Sequence, residues 1–316
     1  MIGEEELKKE NSPINTKGSR ASKLVHCNGD SEKRIDMLKH TKQDFKVSRT
    51  SQSVKVVDSL GYGYMYSSSG SVMSFKEINE QRLLKKHMHE QISLNGINLN
   101  HDLNPTNVRY FDVSDELFIH GAKSFDNCVS FDINMAYYRT AYTLGFITKE
   151  YYEKCEKLPK MTRLRLIGSI ATKKRIYVYK GGKLSDIEVK QDRDLRAAWF
   201  AIVKRVGDCM EEFKQLANLN GRNRFIMYWV DGIYLRGNAS DYSEILLEIE
   251  RKYNLTFKTE LINKIEYHFD SMYKYGKLHV FKKGMEDRVD RKTGEIKDFK
   301  SFSLQKRNDI YEMINY

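Results

Sequence analysis

The stretch "CVSFDINMAYYRTAY", Cys128–Tyr142, sets a carboxylate at the end of an apolar run and follows it with an asparagine and two tyrosines. The run before Asp132 reads as a β-strand, and a helical pattern starts directly after Asn134. An ionised carboxylate beside apolar strand residues needs something to offset the cost of its charge. "NRFIMYWVDGIYLRG", Asn223–Gly237, repeats the situation, with Asp231 at the bend of a strand–turn–strand hairpin. Each aspartate alone has a plain local role open to it. Asp132 can cap the following helix, and Asp231-Gly232 can form a type I′ turn. Together they suit a divalent cation, because Mg²⁺ takes one or two carboxylates plus substrate phosphates rather than a full protein cage.

Length and composition set the frame. With 316 residues the chain is long enough for two domains, or for one large α+β domain with appendages. Its net charge of +11 suits a polyanionic partner, nucleic acid first and an anionic membrane second. Cys27, Cys128, Cys155 and Cys209 are far apart, which argues for reduced thiols and against a zinc knuckle. The polar opening "MIGEEELKKENS" reads as no signal peptide, and no apolar run is long enough for a bilayer. The expectation is a soluble, cytoplasmic protein without a membrane partner.

Residues 1–57 are rich in Lys, Ser, Thr and Asn and read as a basic, weakly structured arm. Residues 58–115 form a linker and a helix, "SFKEINEQRLLKKHMHEQISL", with Ser74 and Glu77 as its capping box. His87, His89 and His101 read there as surface residues. From Glu116 the texture becomes strand-like. "ELFIHG", "CVSFDI", "LRLIGSIAT", "RIYVYKGGKL" and "SDIEVK" read as strands, with Gly181-Gly182 as a hairpin turn. "DRDLRAAWFAIVKRVGDCMEEFKQLANL" is the longest helical pattern, and "SDYSEILLEIERKYN" is an amphipathic helix capped at Ser240 or Asp241. The order predicts an α+β fold, an antiparallel sheet with helices on one face. Residues 282–316 read as a charged tail.

"FDINMAYYRTAY" resembles motif A of the family B DNA polymerases, above all the protein-primed branch, whose pattern is Asp-x-Asn-Ser-Leu-Tyr-Pro. Asp132, Asn134 and Tyr137 match it, while Met135, Ala136 and Tyr138 replace Ser, Leu and Pro. "MYWVDGIYL" resembles motif C, usually Tyr-x-Asp-Thr-Asp-Ser-Ile: Asp231 falls on its second Asp, and Trp229 stands where the first would be. "RDLRAAWFA" has the frame of motif B, Lys-x-x-x-Asn-Ser-x-Tyr-Gly, with Arg193 for the Lys, Phe200 for the Tyr, and Ala197 and Ala198 for Asn and Ser. "NLTFKTELINKIEYHFDSMYKYGKL" resembles the segment from a Leu-x-x-Glu strand, here Glu260, to a Lys-Lys-x-Tyr motif, here Lys274 and Tyr275. The similarity spans residues 116–281.

The resemblance implies a polymerase palm at 116–281 performing nucleotidyl transfer from a dNTP to a 3′-hydroxyl. Asp132 and Asp231 are its catalytic and metal-binding residues, for Mg²⁺ or Mn²⁺. Asn134, Met135, Tyr137, Arg193 and Arg196 would meet the nucleotide, Tyr137 lying under the sugar, and Lys274 and Tyr275 would hold the primer–template. A terminal protein or other replication proteins join the implied partners, in a phage or other mobile element. No exonuclease motif precedes Asp132, and only 99 positions separate the aspartates. The expected fingers are therefore reduced, built near Gly181-Gly182, and residues 282–316 leave at most a vestigial thumb. A reverse-transcriptase-like palm and a non-catalytic nucleic-acid-binding protein on a degenerate palm stay open beside this.

Overall fold

Fourteen strands and seven α-helices appear among the described residues of the computed structural model, which are 24–27, 30–49, 53–60, 62–67, 75–102, 108–219, 223–273, 275–283, 300–307 and 310–315. The chain runs through β1 (Leu24–Cys27), α1 (Ser31–His40), β2 (Phe45–Arg49), β3 (Ser53–Asp58), β4 (Gly63–Ser67) and α2 (Phe75–Leu94). Then come β5 (Phe111–Val113), β6 (Gly121–Ile133), α3 (Ala136–Thr143), α4 (Lys149–Glu156), α5 (Lys160–Gly168), β7 (Lys174–Lys180) and β8 (Lys183–Lys190). The last third holds α6 (Arg193–Ala217), β9 (Phe225–Trp229), β10 (Gly232–Arg236), α7 (Ser243–Tyr253), β11 (Phe257–Asp270), β12 (Tyr275–Lys282), β13 (Lys300–Arg307) and β14 (Ile310–Asn315). The class is α+β, and the chain divides into two units: Met1–Ser93 with Leu158–Trp199, and Leu94–Lys157 with Phe200–Tyr316.

The first unit holds a six-stranded sheet in the order β1-β4-β3-β2-β7-β8, parallel only between β1 and β4. Ile35 and Leu38 of α1 pack on Phe45, Val47, Val56 and Tyr66, and Phe45 stacks on Tyr179 at 4.3 Å. Asp30 starts α1 by accepting from the Glu32 N–H at 2.8 Å. The expected weakly structured arm is thus, over Leu24–Asp58, strands and a helix. Its apolar residues are few, but they alternate within short strands and share one face. Gly181 and Gly182 do turn β7 into β8, both with positive φ. "LRLIGSIAT" is a correction: it forms α5 and a following 3₁₀ turn, because a short apolar run carries no periodicity that separates strand from buried helix. Asp192 starts α6, accepting from the Leu195 N–H at 3.0 Å, and its second oxygen meets His89 Nε2 at 2.7 Å. Ser74 lies outside the described residues.

The second unit holds an eight-stranded antiparallel sheet in the order β14-β13-β12-β11-β6-β10-β9-β5. Its centre, β11-β6-β10-β9, joins β6 to β9 through a segment that ends in α6, and β10 to β11 through α7, so two split β-α-β units interleave. Val129, Phe131, Ile133, Ile233 and Leu235 face Val206, Met210 and Phe213 of α6 and Ile249 of α7 in one core. The opposite face carries a second core, including Met227, Tyr234, Ile265 and Val280. Phe302 of β13 lies 6.2 Å from Trp229 of β9. Five strand spacings separate those strands, about 24 Å in a flat sheet. The sheet is therefore strongly curled. "ELFIHG" is a 3₁₀ turn, Asp115–Phe118, rather than a strand, and the expected charged tail contributes β13 and β14.

Gly207 lets α6 meet the segment before β5. A methyl group there would lie 2.6 Å from the Arg109 carbonyl oxygen. In an open helix Gly→Ala stabilises by about 1 kcal/mol. Gly207→Ala should instead lower the melting temperature, as overpacking costs about 1–3 kcal/mol. An unchanged or higher melting temperature would show that the approach is looser than this.

Candidate functional site

Asp132 closes β6, and the hairpin of β9 and β10 brings Asp231 to its side. Gly232 pairs with Asp132 across the ladder, and the Ile133 N–H donates to the Asp231 carbonyl at 2.8 Å. Two carboxylates 99 positions apart thus end neighbouring central strands, both half-buried. Gly232 leaves room for the Asp132 carboxylate: a Cβ there would stand 2.9 Å from Asp132 Oδ1. The turn consists of Val230 and Asp231, not of Asp231-Gly232, since Gly232 already pairs with Trp229. Val230 carries φ +56°, a conformation that costs a β-branched residue about 1–3 kcal/mol. Its N–H donates to the Tyr110 carbonyl at 2.6 Å, which ties the turn to the segment before β5.

The connection into α3 is also held in an uncommon conformation. Met135 sits at φ +50° and starts the helix without a side-chain cap. The Asn134 N–H donates to the Thr256 carbonyl at 2.8 Å, so the donors that could meet a ligand begin after it. Arg139 of α3 donates to the carbonyl and side-chain oxygens of Asn254, fixing this end of the helix to the α7–β11 turn. Tyr137 is half-buried; burial, the Asp231 charge and Tyr110 all push its phenol above the ordinary tyrosine range. Tyr234, buried beneath the same edge, is pushed up by burial and then by Asp132, Glu260 and Asp231. Both phenols therefore stay protonated at neutral pH.

This donor set fits Mg²⁺ or Mn²⁺. Two carboxylates at the ends of adjacent strands, with no side chain at Gly232 to crowd Asp132, suit a hard cation that takes its remaining oxygens from substrate phosphates. Among the described residues no group of three or more His, Cys, Asp or Glu could hold a metal ion by itself.

No protein-family model and no curated protein sequence matches the chain. No helix among the described residues is long and apolar enough to cross a membrane.

The other expected site residues are distributed over both units. Arg193 and Arg196 belong to the first unit, at the start of α6; Arg193 is exposed, and Arg196 donates to Gln191 Oε1 at 2.5 Å. Ala197, Ala198 and Phe200 are buried, as core residues are. Lys274 lies outside the described residues. Tyr275 pairs with Asp270, twelve residues along β11 from the Lys258 that pairs with Asp132. That is about 40 Å of strand. Tyr275 bonds Ser303 Oγ at 2.9 Å and braces β12 to β13, far from the carboxylate pair.

The structure brings other cations to the pair. Lys258 pairs directly with Asp132 across the β6–β11 ladder, and its Nζ bonds Glu260 Oε1 at 2.7 Å. Lys282 bonds the same oxygen at 2.9 Å, and Lys300 Nζ lies 5.8 Å from the Tyr234 ring. Burial works to raise the Glu260 carboxyl, but the two lysines outweigh it and hold the group below the usual carboxylate range. The signal in the sequence was "FKTE", Phe257–Glu260, whose alternation puts Lys258 and Glu260 on one face of a strand.

Gly232→Ala should displace the Asp132 carboxylate while leaving the core intact. The expected result is loss of divalent-ion binding, read by Mn²⁺ titration, at an unchanged melting temperature. Unaltered Mn²⁺ affinity would show that Gly232 shapes nothing at the site.

Proposed function

We propose that this chain is a small template-directed DNA polymerase with a palm of the family B type and without proofreading. The observation that carries the reading is the pairing of Asp132 with Gly232, which sets Asp132 and Asp231 side by side at the ends of β6 and the β9–β10 hairpin. The interleaved sheet with α6 and α7 on one face supports it, as does Tyr137, the second residue of α3, five positions after Asp132 and within the field of Asp231.

On this reading Asp132 and Asp231 hold Mg²⁺ or Mn²⁺, which when bound activates a 3′-hydroxyl and stabilises the leaving pyrophosphate of a dNTP. The chain's own residues do the rest. Gly232 leaves the Asp132 carboxylate uncrowded. Tyr137 supplies a flat, half-buried surface for the sugar, and N–H groups of the first turn of α3 face the phosphates. Arg193 and Arg196 keep their proposed role toward the nucleotide, and Lys274 with Tyr275 theirs toward the DNA backbone. The test is extension of a labelled DNA primer with Mg²⁺ or Mn²⁺ on DNA and RNA templates. Preference for the RNA template would favour the reverse-transcriptase-like reading.

A second reading has an observation of its own. Trp229, where the family carries an aspartate, packs between Phe111 at 5.9 Å and Phe302 at 6.2 Å. An aromatic cluster there suits a palm that binds nucleic acid and no longer extends it. Retained DNA binding without incorporation would select this reading.

A further inference from the structure

Within the second unit, cations gather on the sheet face that carries Asp132. They come from β11, β12 and β13. Lys258 stands across the ladder from Asp132, and its side chain is 59% exposed, so a ligand can reach it. Glu260 is almost fully enclosed, with 9% of its side chain exposed, and it grips Lys258 and Lys282 at 2.7 and 2.9 Å. A carboxylate committed to two ammonium groups is poorly placed to serve as a third metal ligand. Its effect is to hold two lysines on the face that carries Asp132. Lys300 joins them from β13, over the Tyr234 ring. Lysine suits such a role as a compact charge with three rotatable donors.

We infer that Lys258, held with Lys282 by Glu260, binds a phosphate group of the substrate beside Asp132. The ligand chemistry is a phosphate oxyanion, and it has two sources: the triphosphate of the incoming nucleotide and the backbone of the primer strand. The inference rests on the proposed polymerase reading for its substrate, though the site itself is defined by Lys258, Lys282 and Glu260. Glu260 acts here as a positioning residue and Lys258 as the contact. The assignment also accounts for the distant Tyr275, since the phosphate-binding charge comes from a different stretch of the same two strands.

Lys258→Ala and Lys258→Arg separate the possibilities. If the triphosphate is the ligand, Lys258→Ala raises KM for dNTP about tenfold, the weight of one charged contact. If the primer strand is the ligand, KM for dNTP stays put and the Kd for primer–template rises, with the salt slope of DNA binding falling by about one. Lys258→Arg restores most of either loss, and Glu260→Gln weakens binding in the same direction with a smaller effect. Unchanged KM, Kd and salt slope in Lys258→Ala overturn the inference while leaving the polymerase reading intact. Should the wild type incorporate nothing, calorimetric titration with Mg²⁺–tripolyphosphate and with duplex DNA replaces the kinetics. Weaker binding of either probe by Lys258→Ala then sustains the phosphate site without the polymerase, and equal binding of both refutes it.

Discussion

Asp132→Asn is expected to lower metal-dependent nucleotide incorporation on the order of 10³-fold, about 4 kcal/mol of transition-state stabilisation. Asparagine keeps the shape of the side chain and removes the charge that, on the proposed reading, binds the cation. The backbone pairing of Asp132 with Gly232 does not depend on that charge, so the melting temperature should stay within a degree or two. Asp231→Asn should behave alike if, as proposed, both carboxylates serve one site. The double variant should be no worse than either single one, as residues that act as a unit are non-additive. Primer extension by the wild type, the two single variants and the double variant, at matched DNA occupancy, measures all of this. Equal incorporation by wild type and Asp132→Asn would leave the pair without a catalytic role.

The second large effect concerns stability. Phe131→Ala should destabilise the second unit by about 3–5 kcal/mol. Phe131 is fully buried next to Asp132, 5.4 Å from the Phe213 ring and 5.8 Å from that of Tyr242, so one strand residue joins α6 to the turn before α7. Its loss opens a cavity between sheet and helices that backbone pairing on both sides of β6 keeps from collapsing. For a unit of this size the shift is roughly 6–20 °C in melting temperature. Phe131→Leu, which preserves most of the volume, should lose much less. Scanning calorimetry distinguishes these outcomes, and similar transitions for the alanine and leucine variants would mean that the site can repack.

The parts of the fold legible in the sequence were those with a local signal. "CVSF" before Asp132, "FIMYW" before the turn and the alternating run after Thr256 form β6, β9 and β11, and the amphipathic patterns form α6 and α7. Their pairing put Asp132 beside Asp231, as the shared environment of two strand-end carboxylates had suggested. What stayed hidden depended on partners far along the chain. "FKVSR" and "SVKVVD" are too polar to stand out, and they become strands by pairing in a sheet that also takes in β7 and β8. "LRLIGSIAT" has the composition of a strand and the structure of a helix. Lys258 could be seen on a strand face, yet its position opposite Asp132 follows from a register that sequence periodicity does not encode.

The pairing of Phe45 with Tyr179 has a consequence for synthesis on the ribosome. One edge of β2 waits for a strand that emerges 134 residues later, about 7–27 s at typical elongation rates. During that interval β2 presents an open edge to other nascent chains, a hazard for aggregation. Slower translation of the region between them lengthens the exposure, and a fragment ending before Lys174 never closes that edge.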